Sequence, residues 1–149
     1  MLYESTKTYT HANGLSCAFR QWRADSHCKY LHGYALEVKI VFATDRLNSN
    51  NWVVDFGGMK QIKLWLEDTF DHKTLVAHDD PEMEHFLTLK RIGVIDMRTV
   101  VNTGCEAFAE MIYNYVKDWA SSNVGARVNL KSVEVKEHQG NSAVARLYP

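Results

Sequence analysis

Proline is scarce here: Pro81 and the terminal Pro149 are the only two in 149 residues. No proline-rich stretch can therefore divide the chain, and no glycine- or serine-rich linker does so either. Cysteine is also sparse. Cys17, Cys28 and Cys105 are odd in number and far apart, which argues against a disulfide framework and predicts reduced thiols. Neither sign of charge dominates. The 17 Lys and Arg against 18 Asp and Glu leave a formal net charge of −1, so the basic surface of a nucleic-acid binder is not expected, nor is a charged tail. No apolar run approaches the roughly 18 residues that a membrane-spanning helix needs. The first twenty residues intersperse Glu4, Lys7, Thr8 and His11 among apolar ones, so they lack the apolar core of a secretory signal. These absences predict a single cytoplasmic domain over residues 1–149, with neither a membrane nor a nucleic acid as partner.

Strand patterns lie toward both ends and helical patterns lie between them. From Tyr34 to Phe42, Leu36, Val38, Ile40 and Phe42 alternate with Glu37 and Lys39, the period of a half-buried strand. Extended backward, the same parity places His32 and Tyr34 on the apolar face. Leu15, Cys17 and Phe19 share one parity in a first strand able to pair with it. Val133 and Val135 alternate with Ser132, Glu134 and Lys136, and a last strand from about Asn141 to Leu147 would complete a second hairpin across Gln139-Gly140. Asp55 is positioned to cap a helix over about 56–70, with Met59, Ile62, Leu66 and Phe70 on one stripe. Asp80-Pro81 opens a second helix, stopped by Gly93. A third, over about 104–123, carries Phe108, Met111, Ile112, Tyr115, Val116 and Trp119 at helical spacing. Residues 94–101 read as a short strand. The class is α+β, with helices packed on one face of an antiparallel sheet.

Several residues could carry chemistry. Cys28 sits in Cys28-Lys29-Tyr30-Leu31-His32-Gly33-Tyr34, where His27, Lys29 and His32 could favour a thiolate acting as base or nucleophile. The alternative is a buried cysteine acting as a small apolar residue. No second Cys or His pair with zinc-finger spacing follows. Asp71-His72 directly follows the first long helix, and a carboxylate can orient an imidazole and stabilise its charged form; a solvated helix end is the plainer reading. Thr103-Gly104-Cys105-Glu106 has the form of a capping box, which would occupy Glu106 without a ligand. Glu137 falls by parity on the valine face, where an unpaired charge would cost several kcal/mol. An arginine, a subunit contact, or a ligand with adjacent N–H donors would satisfy it.

These segments resemble, in the same order, those of the 6-pyruvoyl-tetrahydropterin synthase and 6-carboxytetrahydropterin synthase family. The resemblance runs through Leu15 to Phe19, Cys28, Leu31-His32-Gly33-Tyr34, Trp52-Val53-Val54-Asp55-Phe56 with Lys60, Asp71-His72-Lys73-Thr74-Leu75, Asn102 to Glu106, and Val133 to Glu137. It departs from the family in lacking the proline ahead of Thr103. The resemblance implies a tunnelling fold: two antiparallel hairpins with helices between them, sheets from several subunits closing into a barrel, and sites between subunits. It implies a homo-oligomer, most plausibly a hexamer of two stacked trimers. It also implies a lyase acting on 7,8-dihydroneopterin triphosphate or a related reduced pterin. Cys28 would be the catalytic thiol and Asp71 with His72 its partners, while Glu106 and Glu137 would hold the polar edge of the pterin. A binding module that keeps this anchor without the reaction is the alternative. In the family three histidines hold zinc. At the corresponding positions this chain has Phe19, His32 and Tyr34, and one imidazole does not hold zinc tightly. His11, Cys17 or His27 could substitute, but Cys17 lies two residues from Phe19, about 7 Å along a strand. A zinc site of the family type is therefore not expected.

Overall fold

The computed structural model describes residues 1–148. In chain order the elements are β1 (Tyr3–Tyr9), β2 (Leu15–Phe19), β3 (His32–Thr44), α1 (Lys60–Phe70), β4 (Lys73–Ala77), α2 (Met83–Arg91), β5 (Asp96–Val100), α3 (Cys105–Asn123), β6 (Asn129–His138) and β7 (Asn141–Ala145). The seven strands form one sheet in the order β5-β4-β2-β3-β6-β7, with β1 also paired to β3. The α+β class expected from the sequence is the class observed.

β3 organises the sheet because it is long and strictly alternating. Leu36, Val38, Ile40 and Phe42 are fully buried, while Glu37, Lys39 and Val41 on the other face are half-buried. On one side β3 pairs with β6. On the other it pairs first with β2 (Leu15↔Leu36) and then with β1 (Tyr9↔Val38). β1 and β2 are thus two halves of one antiparallel track. A 3-10 turn at His11–Asn13 interrupts them, and Gly14 closes it at φ 80°. Gly33 is required for this pairing, since a Cβ there would stand 2.5 Å from the Cys17 carbonyl oxygen.

Three strands extend the two expected hairpins. β1 escaped the sequence reading because its Ser, Thr and Lys content hides the alternation. β4, to which the sequence reading assigned no element, is buried on four of its five residues; a strand covered on both faces shows no period of two. β4 runs parallel to β2, and β5 runs parallel to β4. A parallel neighbour needs a crossover connection, which α2 supplies between β4 and β5. The sheet is therefore mixed where a wholly antiparallel one was expected.

The expected helical stripes are buried against the sheet. Met59, Ile62, Leu66 and Phe70 join Phe108, Ile112, Val116 and Trp119 in one core with the inward residues of β3 and β6. Asp55 does cap, accepting from the Gly57 N–H at 2.8 Å, but the first turn it caps is 3-10 over Phe56–Met59 before α1 begins. Trp65 stacks on Tyr115 at 3.9 Å between ring centroids, joining α1 to α3.

The loop after β2 is fixed by charge. Arg20 donates through Nε and Nη2 to both oxygens of Asp80, at 2.8 and 2.6 Å, and the Asp80 side chain is 1% exposed. Burial pushes the Asp80 carboxyl up, but Arg20 and the Glu82 N–H outweigh it and hold it below the usual carboxylate range. A depressed carboxyl contributes stability above its unfolded pKa, and this contribution is lost as pH falls through the folded value. In Arg20→Ala the stranded buried charge should cost about 3 kcal/mol or more at pH 7. The loss should shrink at pH 4, where protonation neutralises Asp80 in the variant but not in the native pair. Urea denaturation of both proteins at the two pH values checks this, and a pH-independent difference would contradict it.

Candidate active site

At the end of the sheet where β2 stops and β3 starts, four segments converge. Gln21 donates its N–H to the Cys28 carbonyl at 2.9 Å, seating the 3-10 turn His27–Lys29 beside the end of β2. Ser26 caps that turn, accepting from the Cys28 N–H at 3.3 Å. The Cys28 side chain is partly exposed, whereas Cys17 and Cys105 are buried. Burial pushes the Cys17 thiol up to about 12. Burial also pushes Cys105 up to about 12, with the Glu137 and Glu106 carboxylates adding to the effect.

Glu106, at the start of α3, and Glu137, near the end of β6, both line a cleft of about 390 Å³ with Gln21, Cys105, Gly140, Asn141 and Ser142. Glu137 is half-buried, not enclosed as its parity predicted. The reason is local: Lys136 pairs with Ser142 and His138 with Asn141, so Glu137 is the unmatched residue of a β-bulge. The bulge re-aims its side chain toward α3. The capping box is also absent. Gly104 is the N-cap, at φ 109°, and no side chain caps the helix. Thr103 instead donates its hydroxyl to the Arg20 carbonyl at 2.6 Å. Glu106 is thereby free to face the cleft, and among the described residues neither carboxylate is paired with a cation.

Asp71 and His72 do meet, with Asp71 Oδ1 2.8 Å from His72 Nδ1. His72 is held at φ 58°, in the left-handed region, its N–H donating to the Ser16 carbonyl at 2.6 Å. Its side chain is 86% exposed. This pair precedes β4, whereas Asp79 and Asp80, which hold Arg23, Trp22 and Arg20, follow it. The pair and the Cys28 loop therefore lie at opposite ends of β2 and β4. From Ser16 to Gln21 is about 16 Å of extended chain, beyond direct proton transfer. Within one chain Cys28 and His72 are not brought together.

His32 and Tyr34 continue the inward parity of β3, as the alternation predicts. Phe19 faces them, its register partner being His32. Its ring lies 6.0 Å from each of theirs and 5.0 Å edge-on to Phe108. His138, overlooked at the sequence level, lies 6.2 Å from Tyr34. Cys105 and Gln21 were overlooked as well; only the nearness of Cys105 to Glu106 in sequence hinted at the first. A further depression, of about 620 Å³, lies elsewhere, lined by Tyr3, Trp52 and Phe56 among others. Its two carboxylates are already engaged, Glu4 with Lys131 and Asp55 with the Gly57 N–H, and no cysteine or histidine lines it.

A thiol, two unpaired carboxylates and an aromatic cluster at one sheet end can be set beside known proteins. The sequence profile of the 6-pyruvoyl tetrahydropterin synthase family matches residues 8–147. This chain belongs to that family. It is 28% identical over 128 residues to the 6-carboxy-5,6,7,8-tetrahydropterin synthase of Helicobacter pylori, covering 79% of this chain and 60% of that protein. It is 35% identical over 57 residues to the enzyme of the same name from Rickettsia felis, covering 38% and 41%. The matched regions thus span less than two thirds of those relatives. The fold matches a solved but uncharacterised protein of Wolinella succinogenes with a TM-score of 0.82 at 17% identity, covering 98% of each chain. It also matches the 6-pyruvoyl tetrahydropterin synthase of Plasmodium falciparum with a TM-score of 0.67 at 14% identity, covering 99% of each.

The zinc associated with this family does not fit the residues present. Among the described residues no three His, Cys, Asp or Glu side chains are grouped to hold a metal ion. Phe19 has no donor atom and Tyr34 offers a phenol in place of an imidazole, so His32, whose Nδ1 faces the Tyr30 carbonyl at 2.6 Å, is left as the one imidazole, too few for a tetrahedral zinc site. No catalytic step is therefore routed through a metal.

The exposure pattern makes thiol labelling selective. Iodoacetamide at pH 8 should modify Cys28 alone in the native protein, with Cys17 and Cys105 reacting only after denaturation. Peptide mass spectrometry reads the outcome, and native labelling of Cys105 ahead of Cys28 would contradict the arrangement described.

Proposed function

We propose that the protein is a pterin synthase-like carbon–oxygen lyase acting on 7,8-dihydroneopterin triphosphate or a related reduced pterin. The observation that carries this reading is the pair of unpaired carboxylates, Glu106 and Glu137, facing one cleft at the sheet end that also holds Cys28. A pterin presents an amino group and adjacent ring N–H on one edge, and two carboxylates complement that edge with charge-assisted hydrogen bonds. Membership of the family supports the same ligand class. With the ring anchored there, Cys28 as thiolate removes a proton from a side-chain carbon. The electron pair left behind forms a carbon–carbon double bond as the neighbouring C–O bond breaks and triphosphate leaves, and His72, oriented by Asp71, supplies the proton that converts the resulting enol to its carbonyl form.

The separation of Cys28 from Asp71-His72 gives this reading a structural requirement. A second copy must supply the imidazole. Among the described residues the outer edges of β1 and β7 carry no pairing partner, and open edges favour strand addition. Pairing of β1 with β7 of a neighbour would close the sheets into a ring and place sites between subunits. A hexamer of two stacked trimers is the assembly proposed. A second reading, a pterin- or purine-binding module without turnover, is favoured by the lost metal ligands and retains the same anchor.

Three measurements test this. Sedimentation at micromolar concentration should show a stable oligomer; a monodisperse monomer would refute the shared site. Glu137→Ala should weaken reduced-pterin binding more than Glu106→Ala, because Glu137 is the more buried partner, and loss of a charged hydrogen bond typically costs roughly 1.5–3 kcal/mol. Two negligible effects in calorimetry would remove the anchor. Cys28→Ala and His72→Ala should each lose about 100-fold or more in turnover, yet regain measurable activity when unfolded together and co-assembled. Retained binding with no turnover in the native protein would select the second reading.

A further inference from the structure

Phe19 and Tyr34 do more than leave a metal site incomplete. Phe19 is 1% exposed, its ring closed in by Phe108, His32 and Tyr34. Tyr34 stands edge-on to His32 at 5.3 Å and tilted toward His138 at 6.2 Å. The space among these inward side chains is thus filled by ring packing, and a metal ion entering it would meet a phenyl face, a phenol and one imidazole. Tyr34 is only half-buried, so its polar end is not sealed into the core. Burial, and then the Glu137, Cys28 and Cys105 groups, push its hydroxyl up. Its ring stands against that of His138, the residue that follows the bulged Glu137 on β6.

We propose that the Phe19–His32–Tyr34 cluster is a metal-free replacement for the family's ion site, in which Phe19 excludes metal and the Tyr34 hydroxyl donates a hydrogen bond to a side-chain oxygen of the bound pterin. This inference rests on the pterin reading above and assigns Tyr34 a role of its own. A preorganised hydroxyl stabilises developing charge on an oxygen as other hydrogen-bond donors do, without a metal ion's preference for imidazole ligands.

The test has two arms. Equilibrium dialysis against zinc, with the metal counted by mass spectrometry, should leave the native oligomer with well under one zinc per subunit. Phe19→His/Tyr34→His, which restores three imidazoles, should take up about one. Stoichiometric zinc in the unmodified protein would overturn metal exclusion; its result stands even if the double variant fails to fold. In the second arm Tyr34→Phe removes one oxygen and keeps the ring. Its affinity for 7,8-dihydroneopterin should fall about five- to tenfold, while its affinity for 7,8-dihydropterin, which has no side-chain hydroxyls, should not change. Equal losses for the two ligands, or no loss for either, would overturn the Tyr34 contact. A native protein that binds neither pterin would overturn the functional reading and the Tyr34 role with it, whereas the zinc arm decides the exclusion of metal independently.

Discussion

The constraint on which this structure depends is the parity of β3. Leu36, Val38, Ile40 and Phe42 must point inward to close the core against α3, and a strand cannot change face without a bulge. The same alternation, carried two and four residues beyond the core, delivers Tyr34 and His32 to the sheet end. Packing therefore fixes the orientation of the candidate site. A one-residue slip of β3 would empty the core and the site together, so selection for stability also preserves the geometry for chemistry.

β6 uses the opposite device. It shares the inward parity through Val133 and Val135, and at Glu137 the bulge breaks it. Strict alternation would have enclosed a carboxylate among valines at a cost of several kcal/mol. The extra residue turns it into the cleft beside Glu106 and Cys105 instead. A rigid strand supplies one carboxylate, and the first turn of α3 supplies the other. Gly104 makes that junction possible, because at φ 109° a Cβ would also stand 2.5 Å from the Gln21 side chain.

Legibility in the sequence followed the physics of each element. The amphipathic helices and the alternating strands β2, β3 and β6 were readable because each buries one face. β4 was not, since Thr74 to Ala77 are covered on both sides, and β1 was not, since Ser5 and Lys7 occupy places where aliphatic residues would have signalled a strand. Among candidate site residues, Glu137 was visible as a carboxylate out of place on a valine face and Cys28 as a thiol among basic neighbours, whereas Glu106 read locally as half of a capping box and became a candidate only through the family resemblance. The capping box at Thr103 misled because the helix begins one residue later, with Gly104 as its N-cap, so Thr103 stands outside the cap and donates its hydroxyl to the Arg20 carbonyl. Cys105 and His138 gave little signal, since their neighbours at the site come from other elements.

On the metal-free reading proposed above, the change of ligands at one sheet end has to be concerted. Position 19 is almost fully enclosed, and its ring continues an edge-to-face series through Phe108 to Phe70, with centroids 5.0 and 5.3 Å apart. A histidine there without metal would place an imidazole's polar nitrogens in that apolar setting, each unsatisfied group costing about 1–3 kcal/mol. A phenyl ring with metal ligands kept at 32 and 34 would leave two imidazoles with no third partner. Neither intermediate is comfortable: one loses stability and the other loses the ion. Phe19 with Tyr34 resolves both, restoring apolar packing inside the core and a hydroxyl at its margin. Tyr34 serves because its position, unlike that of Phe19, is only half-buried, so a side chain there can pack through its ring and still present a polar atom.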